Sequence, residues 1–563
     1  MASEPLPQEI ILLLCEELAA RRDFDTLFQC SLVSRRVARI ALEKLYSIQE
    51  LSLVSTGETY NRLKWSQLWR SIILSSTGND TAYPYCVYVR HLSFGNLEEC
   101  LYDIIRINAV TDSFSEGPMQ QFLVKVPPLQ RIEVKSTMVQ CVDSITQYIE
   151  KFADESETAA ALLHLEGVYF PHNLLPNWIS RLRTLKSLRI RDGSVIGVEA
   201  ARAISEFCPN FVDLTCFYYQ SSSADEDLAA FFQALRPNSL QSFEVISQNS
   251  IGRQALAALQ AHAMSLRSLI LGSLPPKGMM ALGSLSSCTA LETLSIEPDP
   301  YDNVGDMLME GKEDVLKEIS AWISSCKSLR HLSFNFFLNP LSVVKDVLAT
   351  PDIRLQSLSI VGFVDHSTDN DDATGDDDAA EATWTALGKQ EDLKSLTLGL
   401  QNDSINAIGG LTINQNSSLA NSILKLRKLT SLNLMQAYVE LPVISQFSEA
   451  LTDLAEFSFG GENVDDSIFG PLSTLWHLKQ LSINAPSSFT YHGLLDFIQK
   501  LARPGQEGIK IDILYQHGHL AFDPDETTTL RNMMTQQLKG RIDITYTTYP
   551  GEVHEEDFDD FSD

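Results

Sequence analysis

The sequence contains little that would support catalysis, metal binding or membrane insertion. None of its nine cysteines forms a Cys-x-x-Cys pair or a spaced Cys/His cluster, which argues against a structural zinc site. It has no Gly-x-Ser-x-Gly, His-Glu-x-x-His or Gly-rich phosphate-binding motif. It also lacks the run of about 18 apolar residues that a membrane-spanning helix needs, and its start does not read as a secretory signal. The sequence therefore predicts a non-catalytic protein with no cofactor, metal or membrane contact.

Basic residues are also scarce, since 43 Lys and Arg stand against 73 Asp and Glu, giving a net charge of −30. Residues 365–381 hold eight acids and residues 552–563 hold seven, with no Lys or Arg in either segment. Such segments self-repel and stay solvated, so we predict a disordered insertion at 365–381 and a disordered tail at 551–563. A nucleic-acid partner is not expected, because it requires basic residues. The odd cysteine count fits reduced thiols in the cytoplasm or nucleus.

A pattern of the form Leu-x-x-Leu-x-Leu, with other apolar residues allowed, recurs along most of the chain. Clear copies begin at Leu185, Leu266, Leu291, Leu329, Leu355, Leu393, Leu429 and Leu478. Weaker copies begin at Val89, Leu129, Leu162, Phe211, Leu240 and Leu454. From Leu162 onward, successive copies start 23 to 38 residues apart. A pattern that recurs at intervals of this length predicts a fold built from stacked structural repeats.

The alternation in the second half of the pattern predicts a short strand with one apolar face. Between copies, apolar residues at three- and four-residue spacing predict helices, as at 197–207 and 312–324. One such strand–helix pair cannot bury its apolar face alone, so neighbouring pairs should stack with their strands parallel. Over about residues 85–500 the chain resembles leucine-rich-repeat proteins. The resemblance implies an α/β solenoid with a parallel concave sheet and helices on the convex side.

Two further positions of the repeat lead to predictions about its packing. The position three residues after the pattern, often Asn or Cys in leucine-rich repeats, is here Gly193, Leu274, Phe337, Ala437 or Pro486. The usual side-chain ladder is therefore not expected at that position. Three cysteines each stand three residues before their copy, namely Cys208, Cys288 and Cys326. This recurring offset predicts a buried turn between helix and strand, and not redox chemistry.

The first fifty residues follow a different pattern. They open with LPQEI at 6–10, continue with DFDTL at 23–27 and turn at LVSRR, residues 32–36. Pro7 suits the first turn of a helix and Ser34 suits an N-cap, so three short helices are predicted. The order and spacing of these blocks over residues 4–47 resemble an F-box of fungal type.

An F-box binds a Skp-family adaptor, which joins it to a cullin ubiquitin ligase. The resemblance places the adaptor contact on apolar residues of the helices: Leu6, Pro7, Ile10, Leu14, Leu18, Leu27, Leu32 and Val33. Any one of them could instead hold the three helices together. The resemblance implies a substrate-recognition adaptor of a Skp–cullin–F-box ligase that binds a protein target through its repeats.

The segment after the F-box reads as a linking helix at 60–75. Its apolar stripe is predicted to dock the F-box rigidly on the first repeat and consists of Trp65, Leu68, Trp69, Ile72 and Ile73. The predicted organisation is an F-box at 1–50, a linking segment at 51–84, repeats at 85–505, capping strands and a helix at 506–550, and the tail at 551–563.

Residues between the buried leucines of each strand should point outward and are the candidates for target contact. The selected candidates are Arg189, Arg191, Glu297, His331, Asn335, Asn433 and Met435. Each is also consistent with an ordinary surface residue. Two other functions stay open: an F-box scaffold that acts outside the ligase, and an enzyme with a site in an insertion.

Overall fold

The recurring pattern folds into short strands, and the segments between its copies fold into helices. A computed structural model describes residues 6–47, 59–78, 81–127, 131–155, 162–300, 313–337, 340–363, 376–400, 411–461 and 464–547. The acidic tail at 551–563 lies outside the described residues. The chain divides into two compact units, Met1–Ser268 and Leu269–Asp563, which we describe separately.

The first unit is helical at its start and gains a sheet further along the chain. Its helices are α1 Gln8–Ala20, α2 Phe24–Ser31, α3 Arg35–Ser47, α4 Thr59–Ser75, α5 Tyr85–Tyr88, α6 Phe94–Arg106, α7 Asn108–Ser115, α8 Val134–Glu155, α9 Leu175–Arg181, α10 Val198–Phe207, α11 Ala224–Ala234 and α12 Arg253–Ala258. Short 3-10 turns lie at Gly117–Gln121, Gly193–Val195 and Leu259–His262. Its strands are β1 His91–Ser93, β2 Lys125–Val126, β3 Arg131–Ile132, β4 His164–Gly167, β5 Ser187–Asp192, β6 Asp213–Tyr218 and β7 Ser242–Val245.

The three predicted N-terminal helices are present, and side-chain caps mark where the second and third begin. The Thr26 amide donates to Asp23 Oδ1 at 3.1 Å at the start of α2. The Val37 amide donates to Ser34 Oγ at 3.3 Å, so Ser34 caps α3 as predicted. Such caps satisfy amides that the first helical turn leaves without partners.

The linking helix α4 holds the three-helix unit against the repeats. Its Trp69, Ile72 and Ile73 are buried, as predicted, whereas Trp65 is half-buried. The hydroxyls of Tyr46 on α3 and Ser71 on α4 lie 2.6 Å apart and share a hydrogen bond. The ring of Tyr46 also stacks on Tyr85 of α5 with 4.7 Å between centroids. Helix α3 is thereby packed against the segment that leads into the first strand.

The sheet of the first unit is parallel, in the order β1-β4-β5-β6-β7. Buried pattern residues lie in register across it, as with Leu165, Leu188 and Leu214. The weak copy predicted at Leu129 does not join this sheet. Its described part forms β3, which pairs antiparallel with β2 in a separate hairpin. The sequence Pro127-Pro128 just before it explains the error, because two prolines fix φ and remove amide donors from a ladder.

The second unit repeats one strand–helix arrangement along its length. Its strands are β8 Ser268–Leu274, whose first residue ends the first unit, β9 Thr293–Pro298, β10 His331–Asn335, β11 Ser357–Phe363, β12 Ser395–Leu400, β13 Leu411–Ile413, β14 Ser431–Val439, β15 Glu456–Gly460, β16 Gln480–Ser487, β17 Lys510–His517 and β18 Arg541–Thr547. Its helices are α13 Pro276–Met279, α14 Glu313–Ser325, α15 Pro340–Ala349, α16 Asp376–Leu387, α17 Ser418–Ile423, α18 Leu441–Ala450, α19 Phe469–Leu472, α20 Tyr491–Leu501 and α21 Pro524–Leu538. Further 3-10 turns lie at Leu282–Leu285, Asp466–Ile468 and Gly518–Leu520.

These strands form a parallel sheet in the order β8-β9-β10-β11-β12-β14-β15-β16-β17-β18, with β13 paired to β14. Equivalent leucines share a register, so Leu358, Leu396 and Leu432 lie side by side and are buried. Helices of successive repeats pack on one another and form the second layer. Both units thus have the leucine-rich-repeat architecture, as the sequence predicted.

The acidic block at 365–381 is not disordered throughout, contrary to the prediction. Its first residues lie outside the described part of the chain, but helix α16 begins at Asp376. The helix has an apolar anchor that the acidic composition concealed: Trp384 is 6% exposed and Leu387 is fully buried. Packing of that end between α15 and α17 stabilises the helix back into the acidic block.

The turn before several of the strands is held by a buried side chain that bonds to the preceding repeat. Cys208 and Cys326 are buried as predicted, and Cys208 Sγ donates to the Leu182 carbonyl oxygen at 3.4 Å. Burial raises the pKa of both thiols to about 12, so they stay protonated at neutral pH. At the equivalent turn, Gln390 Oε1 accepts the Leu355 amide at 3.0 Å. Buried polar groups at this position therefore satisfy backbone groups of the neighbouring repeat.

His262 lies one residue earlier in its own turn, four residues before Leu266, and is fully buried. Its Nδ1 accepts the Leu240 amide at 3.3 Å, and Nε2 donates to the Phe232 carbonyl oxygen at 3.1 Å. This arrangement requires the neutral ring, and burial lowers the pKa of His262. Protonation of Nδ1 would remove the acceptor and leave a charge in the core.

We expect His262→Gln to weaken the dependence of stability on pH. The neutral ring contributes its full stability above an unfolded-state pKa of about 6.5 and loses it as pH falls toward the lower folded-state pKa. Glutamine can make the bonds of Gln390 but does not titrate. Urea unfolding measured between about pH 7.5 and 5 should show a smaller decrease in the free energy of unfolding for the variant than for the wild type. The difference should be about 1.4 kcal/mol for each unit by which folding lowers the pKa of His262. Parallel pH profiles for both proteins would contradict this role of His262.

Candidate protein-binding surfaces

The three-helix unit carries a dense set of exposed apolar side chains. Helix α1 buries Ile11 and Cys15, one turn apart, against the other helices. Its remaining apolar residues exceed what one face can bury, so Ile10, Leu13 and Leu14 stay on the surface, at 43%, 60% and 51% exposure. Nine of the twenty large apolar residues exposed in the described part of the chain lie between positions 6 and 33: Leu6, Ile10, Leu12, Leu13, Leu14, Phe24, Phe28, Leu32 and Val33. These nine residues lie on one small three-helix unit, and apolar residues exposed together are typical of interaction surfaces.

Most residues predicted for adaptor contact belong to this set. Those that the structure leaves exposed are Leu6, Pro7, Ile10, Leu14, Leu32 and Val33. Leu18 is half-buried, and Leu27 is fully buried. Leu27 must therefore be reassigned to the core, because α2 packs against α1 and α3 and leaves Leu27 with no exposed surface. A side chain with no exposed surface cannot contact a partner without unfolding of α2.

Sequence reasoning missed part of the cluster. Phe24 and Phe28 lie one turn apart on α2 and are 39% and 50% exposed. Leu13 is 60% exposed and occupies the same side of α1 as Ile10. The signal was present in the uninterrupted apolar run at 10–14, which is too wide for a single buried stripe. We refer to the nine exposed residues together as the apolar cluster.

The outward sheet face of the first unit carries two predicted target contacts. Arg189 and Arg191 are exposed and alternate with the buried Leu188 and Ile190. The Arg189 guanidinium lies 5.1 Å from the centre of the Phe217 ring. Glu166 faces Arg189 in the strand register, and a hydrogen bond from His91 lowers the pKa of its carboxyl. This face therefore presents both charges and an aromatic ring.

The outward face of the second unit is different in character. Its middle row has no charge over seven strands and reads Ser295, Ser333, Ser359, Thr397, Asn433, Ser458 and Ser482. Short uncharged side chains in this row leave a flat polar surface across the strands.

The five predicted contacts of the second unit all point outward. His331 is exposed, and the other four are half-buried. Glu297 and Asn335 come together, because Asn335 Nδ2 donates to Glu297 Oε2 at 3.3 Å. Asn433 Oδ1 accepts the Met435 amide at 3.1 Å. These contacts engage the side chains of Glu297, Asn335 and Asn433 but only the backbone of Met435.

Two further features were not found among the described residues, a metal-binding cluster and a membrane-spanning helix. No three His, Cys, Asp or Glu side chains gather there in a way that could hold a metal ion. Nor is any described helix both long and apolar enough to cross a bilayer. The described residues do form two kinds of exposed surface. One is the apolar cluster on the N-terminal helices, and the other is the polar outward face of the strands.

Comparison with known proteins finds distant similarity in architecture. No family model matches the chain, and no curated relative does. Among solved structures it is similar to an internalin from Listeria monocytogenes, with 14% identity, coverage of 72% of this chain and 95% of that chain, and a TM-score of 0.36. It is similar to the Rad7 and Elc1 complex in yeast at 14% identity, with coverage of 75% and 88% and a TM-score of 0.34. For the TLR13–ssRNA13 complex the identity is 13%, the coverage 63% and 56%, and the TM-score 0.30. The repeat architecture rests on the strand register of this chain itself.

Proposed function

We propose that the protein is the substrate-recognition adaptor of a Skp–cullin–F-box ubiquitin ligase. In this role the apolar cluster of the three-helix unit binds a Skp-family adaptor, and outward strand positions bind a protein target. The exposed apolar cluster is the observation that carries the proposal. Leaving nine large apolar side chains in water is unfavourable, and a partner that covered them would gain roughly 25 cal/mol for each Å² buried.

The way the three-helix unit is anchored supports this role. Lys64 on α4 pairs with Asp25 on α2 at 2.7 Å, and Lys44 on α3 pairs with Glu16 on α1 at 2.9 Å. Exposed pairs of this kind add little energy, so the buried packing of Tyr46 and α4 is the main constraint. A unit anchored in this way would hold a target bound in the same compact unit at a fixed distance from the ligase.

Affinity purification of the full chain tests the proposal. The wild type should recover a Skp-family adaptor and a cullin, whereas Leu6→Ala with Pro7→Ala should reduce both at least tenfold and retain target candidates. Leu6 is 56% exposed and precedes α1, so the change removes contact area without opening the core. Leu520→Ala with Pro504→Ala, at exposed positions in the second unit, is the matched control and should recover both proteins normally.

The result also separates the two adaptor functions. Recovery of the Skp-family adaptor without any cullin would favour a scaffold that acts outside the ligase. Undiminished cullin recovery by the Leu6→Ala, Pro7→Ala variant would refute the role assigned to the opening motif.

A further inference from the structure

A small hairpin on the first unit gathers basic residues in a chain that has few of them. Strands β2 and β3 place Lys125 opposite Ile132 and Val126 opposite Arg131. The hairpin is fixed to the start of α8, because the Val124 amide donates to Thr137 Oγ1 at 3.0 Å and the Glu133 amide donates to the Val124 carbonyl oxygen at 2.7 Å. Lys135, in the first turn of α8, therefore lies on the same small structure as the hairpin.

The three cations of this structure are not neutralised by ion pairs. Lys125, Arg131 and Lys135 are exposed, and within the described part of the chain none of them forms a salt bridge. Hydrogen bonding with Ser136 at the start of α8, chiefly through its side chain and also through its amide, lowers the pKa of the adjacent Glu133 carboxyl. Three positive charges against this one negative charge leave a local excess of two positive charges.

Exposed apolar side chains accompany these cations. Val126 is 49% exposed, and Val168 and Tyr169, just after β4, are 40% and 41% exposed. The Lys135 ammonium lies 4.9 Å from the centre of the Tyr169 ring. This contact brings the start of α8, to which the hairpin is fixed, next to the end of β4. We call Lys125, Val126, Arg131, Lys135, Val168 and Tyr169 the basic patch.

A groove of about 270 Å³ begins at this patch. It is lined by Lys135, Ser136, Val139, Gln140, Asp143, Tyr169 and Leu174. The acid among them, Asp143, is already engaged, because its Oδ1 accepts from Arg181 Nη1 at 2.6 Å and from Trp178 Nε1 at 3.0 Å. The groove thus combines the apolar side chains of Val139, Tyr169 and Leu174 with one cation, Lys135.

We propose that the basic patch docks an acidic segment of the protein target that carries an aromatic or aliphatic side chain. The acidic residues would face Lys125, Arg131 and Lys135, and the apolar side chain would enter the groove beside Tyr169. The net charge of −30 repels acidic partners in general, but screening limits charge effects to about 8 Å at physiological salt, so the local cations decide the encounter. This inference rests on the proposed function, in which the first unit takes part in target binding.

Fluorescence anisotropy with the full chain tests the docking. The probe is a fluorescein-labelled peptide of six glutamates around one central phenylalanine, compared with its lysine counterpart and with a version that has alanine at the centre. We expect the glutamate–phenylalanine peptide to bind best, with an affinity that falls as salt rises. Lys125→Glu with Lys135→Glu should weaken binding at least tenfold, and Tyr169→Ala should remove the advantage of phenylalanine over alanine.

Arg202→Glu with Arg531→Glu is the matched control, because both arginines are exposed, lie on α10 and α21, and form no salt bridge in the described part of the chain. It makes the same change in net charge and should bind like the wild type. Equal losses in the two variants, or equal binding of the glutamate and lysine peptides, would overturn the proposal. A strong gain in affinity after removal of residues 552–563 would also overturn it, since the occupant would then be the chain's own acidic tail.

A parallel pull-down with a Skp-family adaptor separates this inference from the proposed function. Adaptor binding without peptide binding leaves the ligase role standing and refutes the basic patch as a docking surface. Peptide binding without adaptor binding supports the basic patch and refutes the ligase role.

Discussion

Replacing Leu13 and Phe28 by aspartate is expected to reduce the affinity for a Skp-family adaptor by at least a hundredfold. Both side chains are exposed, at 60% and 50%, and they lie on α1 and α2 within the apolar cluster. Losing two well-buried apolar contacts costs about 3–6 kcal/mol in total, and each aspartate adds the penalty of an unpaired charge in the interface. Isothermal titration calorimetry with purified adaptor measures the difference directly.

The same experiment needs a control for general effects of surface charge. Ile105→Asp with Met264→Asp changes two apolar residues of the first unit that are 45% and 73% exposed and lie outside the apolar cluster. This variant should bind the adaptor with unchanged affinity and unfold at the same temperature as the wild type. If both double variants lost the adaptor equally, the apolar cluster would not be its binding surface.

Leu396→Ala is expected to lower the free energy of unfolding of the second unit by about 2–5 kcal/mol. Leu396 is fully buried on β12, in register between Leu358 and Leu432 of the adjacent strands. Truncation would leave a cavity that the neighbouring repeats cannot fill without moving their own strands. Urea unfolding followed by circular dichroism measures the loss, and hydrogen exchange should rise most in β11, β12 and β14.

The adjacent Thr397→Ala is the matched control for this prediction. Thr397 follows Leu396 on the same strand but points to the outward face and is half-buried. Its truncation should change the free energy of unfolding by no more than about 0.5 kcal/mol. Comparable losses at both positions would mean that the two side chains do not lie on opposite faces of the sheet.

The repeat strands were predictable because their signal is local. Alternation of apolar and polar residues defines two faces whatever lies next to the strand, so Leu188 and Ile190 are buried and Arg189 and Arg191 are exposed as expected. The copy at Leu129 shows where a local signal is insufficient. Its residues have the spacing, but the preceding prolines and the packing of α8 direct β3 into a hairpin.

The acidic block shows the opposite error, in which composition concealed structure. Eight acids without a basic residue predict disorder over residues 365–381, yet α16 extends back to Asp376. Trp384 and Leu387 decide the outcome through burial between neighbouring helices. A composition average cannot register two anchors that lie just beyond the averaged segment.

The sequence by itself determined the order of elements: short helices at the front, then strands and helices that repeat at intervals of 23 to 38 residues. It also determined which residues of each strand are buried, since period-two alternation needs no knowledge of partners. Tertiary structure alone decided that Leu27 belongs to the core while Phe28 stays on the surface. It alone placed Lys135 beside Tyr169, which are 34 positions apart in the chain. The physical reason is that burial and clustering of charge depend on the rotation of one element against another, and packing sets that rotation.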